Sequence, residues 1–397
     1  MYVPNLNIVY HHRTQGTGAE GVHIAYIVKG LRELGHQVKV VSPNPDDPTK
    51  TAGDNPFAKK EGQKGGFLRR LSRSLPQFLF EMLEVGYNFS AVRQLTKAIS
   101  DKKIDFIYER QAFFMYAGAK VAKKFGIPFI VEVNEVAGQA RVRKQIFVGL
   151  AKKIERFVFE TADAIFVVSQ FLKDKIVELG IEADKIHVIP NGADETLFRP
   201  DVDVEPLRQT YKIGKDTVVV GFVGWFVAWH NLTLLLKAFA HAAKNRNACL
   251  LLVGDGTLKE ELQNTATELG IADRVIFPGA VPYENIPRYV NLMNICVIPG
   301  SNEYRSPIKM FEYMLMGKAV LAPRFHPIFT VIEHNQDGVI FEPDNEQSMT
   351  TELEILLNDS QKRKHLGQKA REKVLNQYLW SHNVQRVLNI YESVSSK

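Results

Sequence analysis

Cysteine is nearly missing from this chain: 2 stand among 397 residues. Cys249 lies in the apolar run ACLLLVG and Cys296 in NICVIP. Both read as small core residues of strands, and neither a disulfide framework nor a zinc-ligand spacing can be built from them. Long apolar runs are missing too. No stretch approaches about 18 consecutive apolar residues, so a membrane-spanning helix is not expected. The opening MYVPNLNIVYHHR lacks a basic segment followed by an apolar one and a small-residue cleavage site, so no secretion signal is expected. A reducing, cytoplasmic setting fits these absences, and a nucleic-acid partner is not expected. An acidic excess is also absent, the net charge being +6. The imbalance is local: residues 1–200 carry 29 Lys and Arg against 22 Asp and Glu, and the remainder 21 against 22. A basic half suits an anionic partner such as phospholipid headgroups, a lipid phosphate or an acidic acceptor; a solvated surface explains it equally.

What is present is an alternation of short apolar runs with longer helical stretches. Strands are expected at Leu6–Tyr10, Val38–Ser42, Phe106–Tyr108, Phe129–Val133, Ala164–Val168 and His187–Ile189. The second half repeats the scheme at Val218–Val223, Cys249–Val253, Val275–Phe277, Ile295–Ile298, Ala319–Ala322 and Val339–Phe341. Helices are expected between them, among them Gly21–Leu34, Leu172–Glu178, Leu232–Ala243, Leu258–Glu268, Ile286–Asn291, Pro307–Leu315 and a final run from about Ser348. Strands separated by helices argue for βαβ units and parallel sheets. The stretch Pro200–Gln209 holds two prolines, three acids and no clear period, and reads as the linker. This gives domains at 1–200 and 205–378, two doubly wound halves with a cleft, where ligands bind at the carboxyl ends of the strands.

Residues 44–66 are rich in Pro, Gly, Asp and Lys and read as a loop. After them, Phe67, Leu68, Leu71 and Leu75 recur at helical spacing with Arg69, Arg70 and Arg73 between. A basic amphipathic stretch can lie on an anionic membrane or cover an acceptor, so residues 59–80 are a candidate for peripheral membrane contact. An ordinary core-packed helix is the plain alternative.

Residues 16–21, GTGAEG, match G-x-G-x-x-G at Gly16, Gly18 and Gly21, between a strand and a helix. Two features speak against a dinucleotide. HHRTQ separates the strand from Gly16, and the second strand ends in VKVVSP, with no acid to hold a ribose hydroxyl. The glycines still allow a close backbone approach, and the helix N-terminus offers N–H groups to an anion such as a donor phosphate.

Three segments carry a resemblance: Val168–Pro200, with PNGAD at 190–194; Leu251–Pro299; and Ser306–Pro323, SPIKMFEYMLMGKAVLAP. In order and spacing they resemble the family-4 glycosyltransferases. That implies a GT-B fold, two Rossmann-like domains facing a cleft, and transfer of a sugar from a nucleotide-sugar with retention of anomeric configuration. The resemblance covers nearly the whole chain. It implies a hexosyltransferase using UDP foremost and GDP next, with no resident metal or other cofactor. The acceptor would be a glycan, a lipid-linked glycan or a small molecule, in surface or envelope glycan biosynthesis. It also implies that the last helix, about 380–397, crosses back to the first domain.

The residues can be read beside it. Pro307 favours a first helical turn and Ser306 can cap it, so the N–H groups near Ser306–Ile308 make a diphosphate cradle, with Lys309 as a point charge beside it. In similar enzymes the glutamate at Glu312 accepts from the donor ribose. Gly279 and Val281, in PGAVP, stand where relatives hold the nucleobase, and Gly254 and Asp255 follow another strand. The departures are specific. In place of Glu-x7-Glu, Tyr304 stands eight residues before Glu312 and Glu303 is one residue off. After Val-Gly, where many relatives have Arg and then Lys-Gly, this chain has Gly224-Trp225 and later His230-Asn231, resembling a Trp-His-Gly subset. His230 could hydrogen-bond a phosphate while Lys309 and Arg305 supply charge. The usual His-Asp after the fourth strand is Asn134-Glu135, resembling a branch with Tyr-Glu-Arg, here Tyr108-Glu109-Arg110, and Glu-Val-Asn. A carboxylate there could serve as base. Asn134, Glu135 and Glu303 are thus the candidates nearest the chemistry. Asp201-x-Asp203 reads as solvated linker. A nucleotide-sugar epimerase of this fold and a non-catalytic nucleotide-sugar or glycan binder are the other readings.

Overall fold

The computed structural model describes residues 5–14, 19–43, 76–138 and 145–396. The glycines Gly16 and Gly18 and the basic stretch up to residue 75 lie outside them. The chain divides into two compact units, Met1–Pro190 with Ser381–Lys397, and Asn191–Trp380. The division falls at Pro190, before the Pro200–Gln209 stretch, because Ala193 already belongs to the second unit. Its N–H bonds the Tyr378 carbonyl at 2.9 Å, and its carbonyl accepts from Trp380 at 3.1 Å.

The first unit runs β1 (Asn7–His11), α1 (Ala19–Glu33), β2 (Gln37–Val41), α2 (Gln77–Asp101), β3 (Phe106–Arg110), α3 (Ala117–Phe125), β4 (Phe129–Val133), α4 (Val148–Thr161), β5 (Ala164–Val167), α5 (Gln170–Val177) and β6 (Ile186–Val188). The sheet order is β2-β1-β3-β4-β5-β6, with every pairing parallel. β3, β4 and β5 are buried along their whole length. Buried parallel strands need apolar residues on both faces, which is why they read as continuous runs in the sequence.

The second unit repeats the plan: α6 (Glu205–Thr210), β7 (Val218–Val223), α7 (Leu232–Ala242), β8 (Ala248–Val253), α8 (Lys259–Glu268), β9 (Val275–Gly279), α9 (Ile286–Leu292), β10 (Ile295–Val297), α10 (Ile308–Leu315), β11 (Ala319–Pro323), α11 (His326–Phe329), β12 (Val339–Phe341), α12 (Glu346–Asn358) and α13 (Ser360–Gln377). Its order is β12-β11-β10-β7-β8-β9, again all parallel. All twelve expected strands are present, each within a residue or two of its expected ends. The expected final helix is three helices. Asp359 ends α12 and caps α13 by accepting from the Lys362 N–H at 2.8 Å; α13 stops at Tyr378. The last helix, α14 (Trp380–Ser395), packs on the first unit. There Val384 lies against Gly30 and Tyr391 stacks on Phe106 at 4.5 Å.

In each sheet the chain reverses its winding at one place, between β1 and β3 and between β7 and β10. Such switch points leave a crevice at the carboxyl ends of the strands, where ligands of doubly wound sheets bind. Two glycines tighten the second one. Gly254 follows β8 with φ of 143°, and a Cβ on it would stand 1.9 Å from the Gly224 carbonyl oxygen. Gly254→Ala therefore meets both backbone strain and a clash with backbone that cannot swing aside. It should cost about 3 kcal/mol or more, read as a lower urea midpoint at unchanged slope.

Candidate active site

The second unit's switch point gathers most of the expected donor residues. β7 ends in Gly224, whose φ of 151° leaves room for the Lys309 ammonium; a Cβ there would stand 2.5 Å from its Nζ. β10 leads into α10, whose N-cap is Pro307 with no side-chain cap bond. The expected cap by Ser306 is not made. Ser306 instead accepts the Asn191 N–H at 3.1 Å on its hydroxyl and the Asn191 side-chain amide at 2.6 Å on its carbonyl. That ties the PNGAD segment to the start of α10 and leaves the first-turn N–H groups of Ile308 and Lys309 without a side-chain acceptor. An uncapped helix N-terminus has free N–H groups that can donate to an anion.

Lys309 is half-buried, its Nζ 4.1 Å from the Phe222 ring centre and 3.3 Å from His230 Nε2. No ion pair to it is seen among the described residues. Burial pulls its pKa down to about 7, with Glu312 opposing. Burial, then Lys309, push His230 down to about 3. Its Nδ1 lies 2.6 Å from the Trp225 carbonyl oxygen. A neutral imidazole must donate to that carbonyl from Nδ1, so Nε2 is the acceptor and faces the ammonium. His230 thus orients Lys309, and its ring has no N–H left for a phosphate. Trp225 itself is 70% exposed.

Glu312, one turn into α10, is buried. Burial raises its pKa to about 7, and Tyr283 donates its hydroxyl to Oε1 at 2.5 Å. Tyr283 had no local sequence signal, being separated from Glu312 by α9 and β10. Tyr313 is a second omission: its hydroxyl accepts the Val223 N–H at 2.8 Å and fixes the end of β7 to α10. Tyr283→Phe removes a bond that favours ionised Glu312. The melting temperature should fall at pH 8, where Glu312 is ionised, and change little at pH 5, where it keeps its proton. About 1–3 kcal/mol is expected for the unsatisfied carboxylate.

The remaining calls spread around this core. Gly279 (φ 86°) receives the Gly254 N–H on its carbonyl at 2.9 Å, and Val281 packs partly buried on the core. Asp255 accepts from the Gly256 N–H at 2.8 Å. Arg305 lies over Trp229 at 5.0 Å and over Tyr304 at 5.3 Å. A pocket of about 200 Å3 opens beside Trp229, Asn231, Gly300 and Phe325. Glu303 is exposed and accepts the His326 N–H at 3.0 Å, capping α11. Among the described residues no three His, Cys, Asp or Glu side chains gather as metal ligands, and no helix is long and apolar enough to cross a membrane.

The first unit's switch point carries a buried polar network. Glu132 sits in the middle: Arg110 binds it, His23 Nε2 lies at 2.9 Å, Tyr108 donates at 2.9 Å and Asn134 at 2.6 Å. Burial pushes this carboxyl up, but His23 and then Arg110 outweigh it and hold it well below the usual carboxylate range. Glu132 is thus buried and fully paired. Glu109 does not pair with Arg110; it takes His11 Nδ1 at 2.5 Å and the Gly118 N–H at 3.1 Å. Asn134 and Glu135, beyond β4, are half-buried.

Comparison with known proteins fits this architecture. The Glycosyltransferase Family 4 model matches residues 20–197, and the Glycosyl transferases group 1 model matches residues 203–373. An uncharacterised glycosyltransferase of Methanocaldococcus jannaschii is 21% identical over 97% of each chain. A GDP-mannose-dependent phosphatidylinositol monomannoside mannosyltransferase of Mycobacterium tuberculosis is 24% identical over 58% of this chain and 62% of its own. Among solved structures, a glycosyltransferase of Rickettsia africae superposes with a TM-score of 0.75 at 16% identity, over 99% of both chains. Anabaena HepE in complex with UDP superposes with a TM-score of 0.72 at 18% identity, over 99% of this chain and 100% of that one. The two sheets are the two Rossmann-like domains of the GT-B fold, and the chain is a glycosyltransferase of the group 1 family.

Proposed function

We propose that this glycosyltransferase moves a hexosyl residue from a nucleoside-diphosphate sugar, UDP-sugar foremost, to an acceptor hydroxyl with retention of configuration. The observation that carries the reading is Lys309. A cation with no ion-pair partner among the described residues stands beside an uncapped helix N-terminus at a switch point, over a glycine that leaves space for it. A diphosphate supplies what this arrangement lacks, a paired negative charge with acceptor oxygens. Glu312, steadied by Tyr283, accepts from the ribose hydroxyls one turn further along, and the Gly279–Val281 backbone meets the nucleobase. UDP in HepE and the GDP-mannose named for the mycobacterial relative support a nucleotide donor.

Glu132 is held ionised by its partners and is no free base, while Glu303, which accepts the His326 N–H on one carboxylate oxygen, is the residue to take the place of the glutamate that in similar enzymes holds the donor sugar's hydroxyls. Glu135 and Asn134, half-buried just beyond the end of β4, are the side chains placed to meet an acceptor in the first unit. In a front-face transfer the bond from the anomeric carbon to the phosphate oxygen breaks. The bond to the acceptor oxygen forms on the same face, and the acceptor proton passes to the leaving phosphate. No resident metal or other cofactor is needed for these steps. The acceptor is a glycan, a lipid-linked glycan or a small molecule, and the role is in surface or envelope glycan biosynthesis on the cytoplasmic side. The test is turnover of UDP-hexoses with a panel of such acceptors, the product's anomeric configuration being read by proton coupling. A product inverted relative to the donor contradicts retention; donor binding without turnover on any acceptor favours a non-catalytic binder.

A further inference from the structure

Helix α2 is apolar on two sides. One side, with Ala91, Leu95 and Ala98, is buried in the first unit. The other is exposed yet carries Phe78, Leu79, Met82, Leu83 and Phe89, at 37% to 78% exposure. Steps of four, four and three residues link Phe78, Met82, Gly86 and Phe89, so these residues form one stripe about 16 Å long. Further steps of four bring Arg93 and Lys97 onto the same line, both exposed and in no ion pair among the described residues.

The stripe continues onto α4. Buried Glu81 accepts the Ile146 and Phe147 N–H groups at 2.8 Å each, which sets the start of α4 against α2. Ile146, Phe147 and Leu150 are exposed there, followed by exposed Lys152 and Lys153. Of the acids of α2 only Asp101, one further step of four beyond Lys97, lies on this line, and it is paired with Lys39 at 3.1 Å. Glu81 is spent on α4, and Glu84 is bound by Arg13 at 2.5 Å.

We infer that this face of α2 and α4 docks on an anionic lipid surface. The helix axis lies in the plane of the interface, the apolar stripe enters it, and Arg93, Lys97, Lys152 and Lys153 meet the headgroups. An apolar face rimmed by cations that make no ion pair among the described residues, with the one acid of α2 on it neutralised by Lys39, matches anionic lipid in both its parts. A protein groove would need only the apolar part. The inference is independent of the donor reading.

Flotation with vesicles tests it, using phosphatidylcholine alone and phosphatidylcholine with phosphatidylglycerol. The full chain should float with the anionic vesicles and not with the neutral ones, and salt should weaken the binding. Arg93→Gln with Lys97→Gln should lower the partition coefficient about five-fold for each charge removed. Met82→Ser with Phe89→Ser should lower it at least about tenfold. Neither pair should change the melting temperature or the nucleotide-induced shift. The inference is overturned if the chain floats with neither vesicle, or if both variant pairs float like the wild type. It is also overturned if Met82→Ser with Phe89→Ser lowers the melting temperature, which would mean the stripe is packed by the chain itself. A dimer that this pair converts to monomer, with no flotation, would assign the face to a second copy.

Discussion

Replacing Lys309 with Met should weaken donor binding about ten- to a hundred-fold while making the free protein more heat-stable. The two effects share one cause. A half-buried ammonium with a depressed pKa of about 7 disfavours folding wherever the unfolded lysine would be charged. Between that value and the ordinary lysine range the unfolded chain binds more protons, so stability rises with pH. Met keeps the volume and removes the burdened charge. The diphosphate loses a charge-assisted bond worth about 1.5–3 kcal/mol, roughly ten- to more than a hundred-fold in affinity. Wild-type binding should depend on pH in a matching way. Below about pH 7 Lys309 is already charged in the free protein, and affinity is flat. Above it, binding must take up a proton, so affinity falls up to tenfold per pH unit until the bound-state pKa is reached. Calorimetry in buffers of different ionisation heat reads that proton directly. A pH-independent affinity with no proton uptake would detach Lys309 from the phosphates.

Arg110→Leu should be the most damaging substitution in the first unit. It leaves Glu132 buried and ionised with His23 as its remaining charge partner. Breaking a buried pair by removing one member costs about 3–5 kcal/mol, far more than loss of an exposed pair such as Lys39–Asp101, worth at most about 1 kcal/mol. The pH dependence has a definite sign. A carboxyl held below its unfolded value contributes stability that is fully present above that value and is lost progressively as pH falls from it through the lower folded value. Acid should therefore narrow the gap between Arg110→Leu and the wild type, and Arg110→Leu with Glu132→Gln should recover part of the loss at neutral pH. Chemical unfolding from pH 4 to pH 8 decides it. A uniform loss across that range would mean that Arg110 acts through packing alone.

The sequence was most informative where physics is local. A strand such as Ala248–Val253 is buried on both faces, so its apolar run and the glycines after it mark its ends. Helix α2 was harder to read because apolar residues on both sides blur the helical period. Side-chain pairings were out of reach. Ser306 has the chemistry of a cap, and only the fold shows that Asn191, far away in the chain, claims it. His230 sits next to the expected phosphate contacts, but its role turns on which ring nitrogen faces the Trp225 carbonyl. Tyr283 and Glu312 meet because β9 and β10 bring their loops to one end of the sheet. The glutamate offset at Glu303 was visible as a departure, and the structure gives it a local task at the start of α11.

The central claim is that the second unit's switch point is a nucleoside-diphosphate site. The most direct measurement is thermal shift with UDP, GDP, ADP, dTDP and NAD, on the wild type, Lys309→Met and Glu312→Ala. A ligand at about 100 times its dissociation constant adds about 2.7 kcal/mol, which is readily seen as a higher melting temperature. One nucleoside diphosphate should raise the wild type, with UDP expected first, and both variants should lose much of that rise. A rise with NAD alone, no rise with any nucleoside diphosphate, or a rise that both variants keep would contradict the assignment.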